Sequence, residues 1–386
     1  MKMIKYKNSD LDKIWNIISV SFGVKDSFKE FIKKELSHFK GYYIEEAGLP
    51  AAAAFYGMYE MNFFGVTVKV PGISFVCTLP EFRNRGYVRA LLERMLKDFI
   101  SMRYPFSTLY AFKMQYYRKF GWGYMCESRR YEIPPEIIGR PQEKGLYGIE
   151  YLSEEKIKDY VGYFNQEHFP KYHGSFKKAV HREKHYRDFS IEGKGVSLYK
   201  MCAMKKGGKI KGVFTFGIDQ EKKLNIYEAF WSDRTALFTL LNFMANFRDQ
   251  SKEIIISLAP DQRMEYLMET TYFSKEIKTR QMGRIVSLPD FVKLIDLEDG
   301  EYELNVRDAQ CAGNTGRFII SRSRGKTRIV KKPLSGPALE LSVLTGLIFL
   351  EDMRGMYTSN AMVSPSAAKF LRAMKGIKPS HVTEFY

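Results

Sequence analysis

Residues 76–92, VCTLPEFRNRGYVRALL, combine the features that a pyrophosphate group needs for binding. A strand-like run ends at Thr78, and the basic loop RNRG (83–86) leads into an amphipathic helix that begins near Tyr87. The N-terminus of a helix offers unpaired N–H groups and a positive dipole end, and glycine lets a phosphate approach the backbone. The segment therefore predicts a binding site for the pyrophosphate of a cofactor of the acyl-CoA type. An ordinary exposed connection from strand to helix is the alternative.

A second segment, QYYRKFGW at residues 115–122, follows a short predicted strand at Thr108–Phe112. Its Tyr117 begins a tyrosine-x-x-x-G-aromatic pattern. A phenol has a pKa of about 10 and a thiol about 8.5, so proton transfer between these two kinds of group is close to balanced. A role in packing is the alternative for Tyr117, and the neighbouring Tyr116 is interpreted as a packing residue.

Together the two segments resemble the paired signatures of the GNAT superfamily of N-acetyltransferases, R/Q-x-x-G-x-G/A and then a tyrosine followed by x-x-x-G-aromatic. VCTLPEFRNRGYVRALL with YYRKFGWGY is more closely similar to the enhanced intracellular survival (Eis) acetyltransferases. The sequence departs from the general pattern at Val88, where most of the superfamily has Gly or Ala; the Eis-like group also tolerates a larger aliphatic residue there. The resemblance covers the whole chain, although its specific motifs lie mainly within 76–122.

The resemblance implies that acetyl-CoA is the cofactor, and that the strand before the loop splays from its neighbour to pair with the pantetheine arm. The residues that it implies as cofactor contacts are Val76, Cys77, Thr78, Arg83, Asn84, Arg85, Gly86, Tyr87, Val88, Arg89, Phe112 and Lys113. It also implies Tyr117 as general acid and the terminal carboxylate of Tyr386 as base. An α-carboxyl has a pKa of about 3.5, so it is a weak base unless it is desolvated or works through water.

The resemblance further implies transfer to a primary amine in a ternary complex, because Eis-like enzymes acetylate amines on aminoglycosides and lysine side chains. A polyamine fits the same description. Acids and aromatics line the acceptor pocket of that family, and the substrate-binding candidates here are Asp26, Phe28 and Glu384, with Phe22, Tyr42 and Phe385 as further aromatic candidates. A homo-oligomer, specifically a hexamer of two trimers, is also implied.

The elements that position these residues alternate between helix and strand in the first part of the chain. Hydrophobic periodicity predicts helices at Asp10–Phe22 and Phe28–His38, a long helix from Tyr87, a short helix at Gln115–Phe120, and strands at Tyr42–Glu45, Ala51–Tyr59, Thr67–Thr78, Thr108–Phe112 and Tyr124–Ile133. Residues 146–284 repeat a mixed pattern, with helices at 153–166 and 234–248 and strands at 196–203, 209–217, 223–230 and 253–258. The remainder predicts strands at 301–306, 316–321 and 326–331 and helices at 337–350 and 364–375.

The predicted fold class is therefore α/β, or α+β, with three domains. Residues 1–135 form a GNAT domain with the acetyl-CoA site, and residues 136–284 form a second GNAT-like mixed-sheet domain without the cofactor motif. By resemblance, residues 285–386 form a sterol-carrier-protein-like α+β domain. A chain of 386 residues is long enough for two or three such cores.

The net charge of +17 favours polyanionic partners, or it reflects a solvated surface. Nucleic-acid binding is disfavoured because the chain has no basic recognition helix or stacking motif. The alternative to an acetyltransferase is a protein that binds a lipid or small apolar ligand and has a degenerate acetyltransferase domain. The intact basic loop and Tyr117 argue against this alternative.

No metal site is expected from the cysteines and histidines. The four cysteines form no CxxC pair, and the residues around His181 and His185 do not fit H-E-x-x-H, because Glu183 is one place late. The N-terminus has no apolar signal-peptide region, and the longest apolar run is too short to span a bilayer. These features predict a soluble, cytoplasmic protein without a membrane partner.

Overall fold

A computed structural model describes residues 1–139, 145–193, 198–279, 281–376 and 380–381. The described chain divides into two compact units. One unit contains residues 1–126 together with 281–376, and the other contains residues 127–279 together with 380–381.

The first unit contains a seven-stranded mixed sheet. Its strands are β1 (Lys2–Lys5), β2 (Lys40–Glu46), β3 (Leu49–Phe63), β4 (Val66–Thr78), β5 (Phe106–Tyr110), β6 (Gly123–Tyr124) and β14 (Gln281–Ile285). They lie in the order β1-β2-β3-β4-β5-β14-β6, and only β4 and β5 pair in parallel.

Helices cover both faces of this sheet. They are α1 (Leu11–Phe22), α2 (Lys29–Leu36), α3 (Tyr87–Ser101) and the short α4 (Met114–Arg118). Successive strand residues face opposite sides, so Tyr42 of β2 packs in the core with α3, whereas Tyr43 packs with α1 and α2. The helices predicted from the spacing of apolar residues are present, with ends that differ by a few residues.

A strand from a distant part of the sequence completes the first sheet. β14 pairs antiparallel with β5 along all five residues of both strands and also pairs with β6. Two side-chain hydrogen bonds add to this pairing. The hydroxyl of Thr108 on β5 donates to the carbonyl of Met282 at 3.0 Å and accepts from Gln281 Nε2 at 2.5 Å. Residues 281–284 are assigned to the second domain by the predicted boundaries, but in the structure they lie in the first sheet.

The strand predicted at Tyr124–Ile133 is wrong as a single element. In the structure β6 ends at Tyr124, and a separate strand, β7 (Ser128–Ile133), pairs with strands of the second unit. The chain therefore leaves the first sheet between residues 124 and 128. The sequence from 124 to 133 is strand-like throughout, so it does not show where the chain passes from the first sheet to the second. Composition does not reveal with which strand a segment pairs.

The second unit contains another seven-stranded mixed sheet, in which β7 is joined by β8 (Gly148–Tyr151), β9 (Leu198–Lys206), β10 (Lys209–Ile218), β11 (Lys223–Trp231), β12 (Glu253–Leu258) and β13 (Ser274–Lys278). The order is β13-β7-β12-β11-β10-β9-β8, and only β11 and β12 pair in parallel. Its helices are α5 (Ile157–Tyr163), α6 (Val180–Gly193) and α7 (Arg234–Ala245). The helix predicted at 153–166 is thus shorter, because a 3-10 turn precedes α5 and a π turn at Phe164–His168 follows it.

The C-terminal segment adds a smaller four-stranded sheet, formed by β15 (Gly300–Arg307), β16 (Gly316–Ser323), β17 (Lys326–Lys332) and β18 (Leu339–Glu340) in the order β17-β16-β15-β18. Its helices are α8 (Leu288–Val292), α9 (Leu341–Phe349), α10 (Glu351–Ser359) and α11 (Pro365–Arg372). Two mixed α/β sheets in tandem, followed by a smaller sheet with C-terminal helices, confirm the predicted fold class. Likeness to sterol-carrier proteins stays a prediction.

An aromatic cluster packs the C-terminal segment onto the first sheet. Phe291 of α8 and Phe349 of α9 contact both Phe63 of β3 and Phe106 of β5, with ring centroids 4.7 to 5.7 Å apart. All four rings are buried. Aromatic burial of this extent explains why the first sheet and the C-terminal segment form one compact unit.

Within the described ranges, no helix combines the length and the apolar character that a membrane crossing requires. No group of three or more His, Cys, Asp or Glu side chains that could hold a metal ion occurs among the described residues.

Candidate active site

The first element of the site is the point at which β4 and β5 separate. The two strands pair at only two positions, Gly72 with Thr108 and Ile73 with Leu109. β4 then continues to Thr78 with pairing described only to β3. The register of that pairing shifts near Phe75, whose φ of 48° is unusual for a bulky residue. β5 ends at Tyr110 whereas the bulged β4 runs on to Thr78, so among the described residues β4 has an unpaired edge on its β5 side, called the slot below.

The end of β4 carries a buried polar atom without a partner. Thr78 Oγ1 is buried and makes no hydrogen bond, whereas the carbonyl of Thr78 accepts from Ser21 Oγ at 3.3 Å and from Arg83 Nε at 3.5 Å. A buried hydroxyl without a partner costs free energy that a bound ligand can recover. The predicted contacts Val76, Cys77 and Thr78 all lie on this part of β4.

Cys77 lies in the same strand, but its chemistry is that of a buried, protonated thiol. The side chain is 3% exposed, and burial raises its pKa to about 12. Its Sγ lies 3.7 Å from the carbonyl oxygen of Ala53. The nucleophilic form of cysteine is the thiolate, so this residue is unsuited to form an acyl-enzyme.

The second element is the N-terminus of α3. Gly86 caps the helix with a φ of 80°, and Asn84 also has a positive φ, of 64°. Within the described ranges, no side-chain cap bonds to the first turn, and a Cβ at Gly86 would meet open space. The first N–H groups of a 15-residue helix therefore face an open cradle, which suits an anion.

The basic residues of this loop differ in how they are held. Arg85 makes an ion pair with Glu46 at 3.3 Å and lies 5.2 Å over the ring of Phe82. Arg83 and Arg89 are both exposed. Exposed guanidinium groups beside a helix N-terminus add positive potential where a phosphate would bind.

Tyr87 and Val88 turn their side chains inward. Tyr87 is buried, and Val88 packs against the same core cluster. What these two residues can offer a ligand is therefore their main-chain N–H groups, and a larger aliphatic residue at 88 is compatible with this arrangement.

The second unit contains a comparable helix whose N-terminus is closed by a carboxylate. β11 pairs with β12 only at Lys223 to Ile226, and from there to Trp231 its described pairing is only with β10, so its β12 side is unpaired there as well. The helix that follows, α7, is capped by Asp233, whose carboxylate accepts from the N–H of Ala236 at 2.9 Å. An acidic cap occupies the groups that would bind phosphate and repels it.

Tyr117 lies on α4, after the end of β5. Its side chain is 3% exposed, and its ring contacts Phe112 and Tyr116 edge-on, with centroids 6.2 and 5.4 Å away. Its hydroxyl makes no hydrogen bond within the described part of the chain. Burial, with smaller effects of Tyr116 and Cys77, raises the pKa of Tyr117 well above its usual value. The phenol stays protonated at neutral pH, but it is a weaker acid than an exposed tyrosine.

Two predicted cofactor residues follow β5 directly. Phe112 is 82% exposed, and Lys113 is exposed at the start of α4. Both side chains are thus open to solvent beside Tyr117, whose ring Phe112 contacts edge-on.

The predicted acceptor residues lie only partly together. Asp26 is exposed and accepts a hydrogen bond from Trp15 Nε1 at 2.6 Å, and Phe28 is half-buried two residues later. Phe22 contacts Phe75 of the bulged strand edge-on at 5.8 Å, which places the end of α1 against β4. Tyr42 instead lies on the α3 face, where its hydroxyl donates to Asp98. Glu384, Phe385 and Tyr386 lie outside the described residues.

Sequence reasoning missed a buried ion pair behind this site. Arg284 of β14 donates to the carbonyl of Phe120, just after α4, and to the carboxylate of Asp308. Arg284 is 164 residues from Phe120 and 24 residues from Asp308, so no local sequence pattern predicts these contacts. Gly121, which follows Phe120, is the one sequence feature that reflects the arrangement.

Comparison with known proteins agrees with this geometry. A family model described as an acetyltransferase (GNAT) domain matches residues 2–125, and another with the same description matches residues 179–285. Together they span more than half of the chain. The chain belongs to the GNAT N-acetyltransferases. A search of curated protein sequences finds no match.

Solved structures similar to this GNAT chain share its architecture from end to end. A probable N-acyltransferase from Enterococcus faecalis has a TM-score of 0.86 at 19% identity, covering 100% of this chain and 99% of that chain. A GCN5-related N-acetyltransferase from Anabaena variabilis has a TM-score of 0.84 at 19% identity, with 100% of each chain covered. Eis1 from Mycobacterium abscessus has a TM-score of 0.79 at 15% identity, again covering 100% of both chains. The fold is therefore Eis-like, as predicted.

The contrast between Gly86 and Asp233 generates a test of the anion cradle. We expect Gly86→Asp to weaken CoA binding by about tenfold or more. Its carboxylate would accept hydrogen bonds from the N–H groups of the first turn of α3 and would repel the phosphates of CoA. The matched control is Gly86→Asn, since Asn and Asp tolerate positive φ similarly but only Asp is charged. Calorimetric titration with CoA gives both affinities; equal weakening by the two variants would argue against an anion site at this helix.

Proposed function

We propose that this GNAT protein is an acetyl-CoA-dependent enzyme that acetylates a primary amine of an aminoglycoside, polyamine or lysine-type acceptor. The observation that carries the proposal is the slot beside β4, which has an unpartnered buried hydroxyl at Thr78 and leads to the uncapped N-terminus of α3. Tyr117 is also close enough to Cys77 on this strand for Cys77 to add, after burial and Tyr116, to the raised pKa of the phenol.

The residues on the two sides of the slot fit acetyl-CoA. When bound, acetyl-CoA supplies an activated acetyl thioester. We assign the pantetheine arm to the open edge of Val76–Thr78, and the pyrophosphate to the N–H groups of residues 86–89 with Arg83 and Arg89. Phe112 and Lys113 are placed to cover the cofactor from the β5 side.

Direct transfer in a ternary complex is the mechanism that these residues favour. The protonated thiol of Cys77 argues against an acyl-enzyme. The amine nitrogen then forms a bond to the acetyl carbon, the carbon–sulfur bond breaks, and the sulfur takes a proton. Tyr117 holds the proton for that sulfur.

The raised pKa of Tyr117 sharpens its role. Transfer from this phenol to a thiolate is uphill, because burial makes the phenol a weaker acid. The same low-polarity surroundings disfavour a free thiolate, so the departing sulfur also becomes more basic. Tyr117 therefore acts first as a hydrogen-bond donor to the developing charge, and proton transfer completes with bond cleavage.

The acceptor and the base complete the proposal. We place the amine on the α1 side of β4, near Asp26 and Phe28, and include Glu384 from the family resemblance. The carboxylate of Tyr386 is proposed as the base, directly or through water. A hexameric assembly stays part of the same prediction.

The reaction itself can be tested by thiol release. Purified protein with acetyl-CoA and a panel of aminoglycosides, polyamines and lysine peptides should release free CoA and yield an acetylated amine detectable by mass spectrometry. Gly86→Asp is the matched control, since it should lower the rate through cofactor binding. Absence of any acetylated amine across the panel would count against the proposal.

Replacing Tyr117 by Phe tests the general acid. We expect kcat to fall about 10- to 100-fold, as for the loss of a hydrogen bond to a charged group, with acetyl-CoA affinity changed by less than about twofold. Because the Tyr117 pKa is raised, its ionisation should not lower kcat below about pH 10. Tyr116→Phe is the control. An alkaline fall in kcat below that pH, present in the wild type and absent in Tyr117→Phe, would contradict the raised pKa.

Appending a short peptide after Tyr386 tests the terminal carboxylate. The extension moves the carboxylate away from residue 386, so we expect a large fall in kcat with little change in CoA affinity. The same peptide placed before Met1 is the control. Full activity in the C-terminally extended protein would remove Tyr386 from the mechanism.

A further inference from the structure

A buried ion pair lies behind the turn that follows Tyr117. Arg284 Nη2 donates to both carboxylate oxygens of Asp308, at 3.0 and 2.8 Å, and the two side chains are 0% and 1% exposed. Asp308 also accepts from the N–H of Gln310 at 3.0 Å and from Asn314 Nδ2 at 2.9 Å. Four hydrogen bonds from three donor groups thus fix the carboxylate, which in turn fixes the guanidinium.

The guanidinium holds the backbone next to Tyr117. Arg284 Nη1 donates to the carbonyl of Phe120. The N–H of Phe120 donates to the carbonyl of Tyr117 at 2.9 Å, and the N–H of Trp122 donates to the same carbonyl at 3.3 Å. A continuous series of hydrogen bonds therefore runs from Asp308 through Arg284 and Phe120 to the main chain of Tyr117.

The sequence of this turn is adapted to the guanidinium. Gly121 has a φ of 86°, and a Cβ at this position would lie 1.5 Å from Arg284 Nη1. The guanidinium also lies 5.4 Å from the ring centroid of Trp122. The Gly-Trp pair after Tyr117 is thus explained by close approach of Arg284 as well as by the turn itself.

Stability alone is a poor explanation for this pair. Arg284 Nε is buried and has no hydrogen-bond partner, so the charge is incompletely satisfied. Apolar side chains of similar volume often replace buried ion pairs without loss of stability. What apolar side chains cannot replace is the directional hydrogen bond to the carbonyl of Phe120.

We propose that Arg284 and Asp308 are positioning residues that orient Tyr117 toward the departing sulfur. The inference rests on the proposed role of Tyr117 as general acid. It also assigns a catalytic contribution to the segment after residue 280, which supplies both side chains.

The central experiment is a mutant cycle with an apolar replacement. The double variant Arg284→Met with Asp308→Leu removes both charges together, so no single buried charge is left behind. We expect kcat to fall about tenfold or more, since misplacement of a reacting group by about 1 Å can cost about 100-fold, while CoA affinity changes by less than about twofold. In a Tyr117→Phe background the same double variant should cause no further fall in kcat.

Arg354→Met is the matched control. Arg354 is also a buried arginine of the C-terminal segment that donates to a backbone carbonyl, that of Ile348, at 3.5 Å, so its described hydrogen bond is made to α9 and not to the turn after Tyr117. We expect its kcat to stay at the wild-type value. Arg284→Lys serves as a milder variant if the double variant fails to fold, and its kcat should lie between the wild type and Tyr117→Phe.

A second readout does not depend on turnover. The N–H groups of Gly121 and Trp122 bond to the carbonyls of Arg118 and Tyr117, so their hydrogen exchange should speed up in the Arg284 variants and not in Arg354→Met. Unchanged exchange, or equal falls in kcat with and without Tyr117, would overturn the positioning role. Another outcome is that the wild type acetylates no amine while hydrogen exchange at Gly121 and Trp122 still speeds up in the Arg284 variants. In that case the proposed reaction is wrong, but the conclusion that Arg284 fixes the turn is supported.

Discussion

The site depends on how little β4 and β5 pair with each other. Two parallel positions join the strands, and beyond them β4 continues to Thr78 with described pairing only to β3. β5 can give up that edge because β14 pairs with it along its whole length on the other side. Strand edges usually need cover, so the third strand lets the sheet stay intact while one internal edge remains open for a ligand.

An open edge does not by itself create a cofactor site, as the second unit makes clear. β11 and β12 diverge in the same way, yet Asp233 closes the helix that follows. In the first unit Gly86 leaves the corresponding helix uncapped and the backbone exposed. Divergent strands and a free helix N-terminus are two separate requirements, and only the first unit combines them among the described residues.

Local patterns predicted those parts of the site that depend on local physics. The basic loop, the helix from Tyr87 and the position of Tyr117 follow from glycine placement and apolar spacing, and the structure has them where the sequence indicates. The crossing of β7 into the second sheet, the insertion of β14 and the pairing of Arg284 with Asp308 were not predicted. Each joins residues far apart in sequence, for which periodicity carries no information. Burial of Tyr117 and Cys77, and hence their raised pKa values, has the same long-range origin.

The insertion of β14 also has a consequence for the order of folding during synthesis. Residues 1–126 supply six strands of the first sheet, but β14, which lies between β5 and β6, is made only after residues 127–279. At about 5 to 20 residues per second, the ribosome needs roughly 10 to 30 s to reach it. During that interval the edge of β5 lacks its partner, and such edges invite aggregation. The nascent chain therefore exposes this strand edge until residues 281–285 have been made.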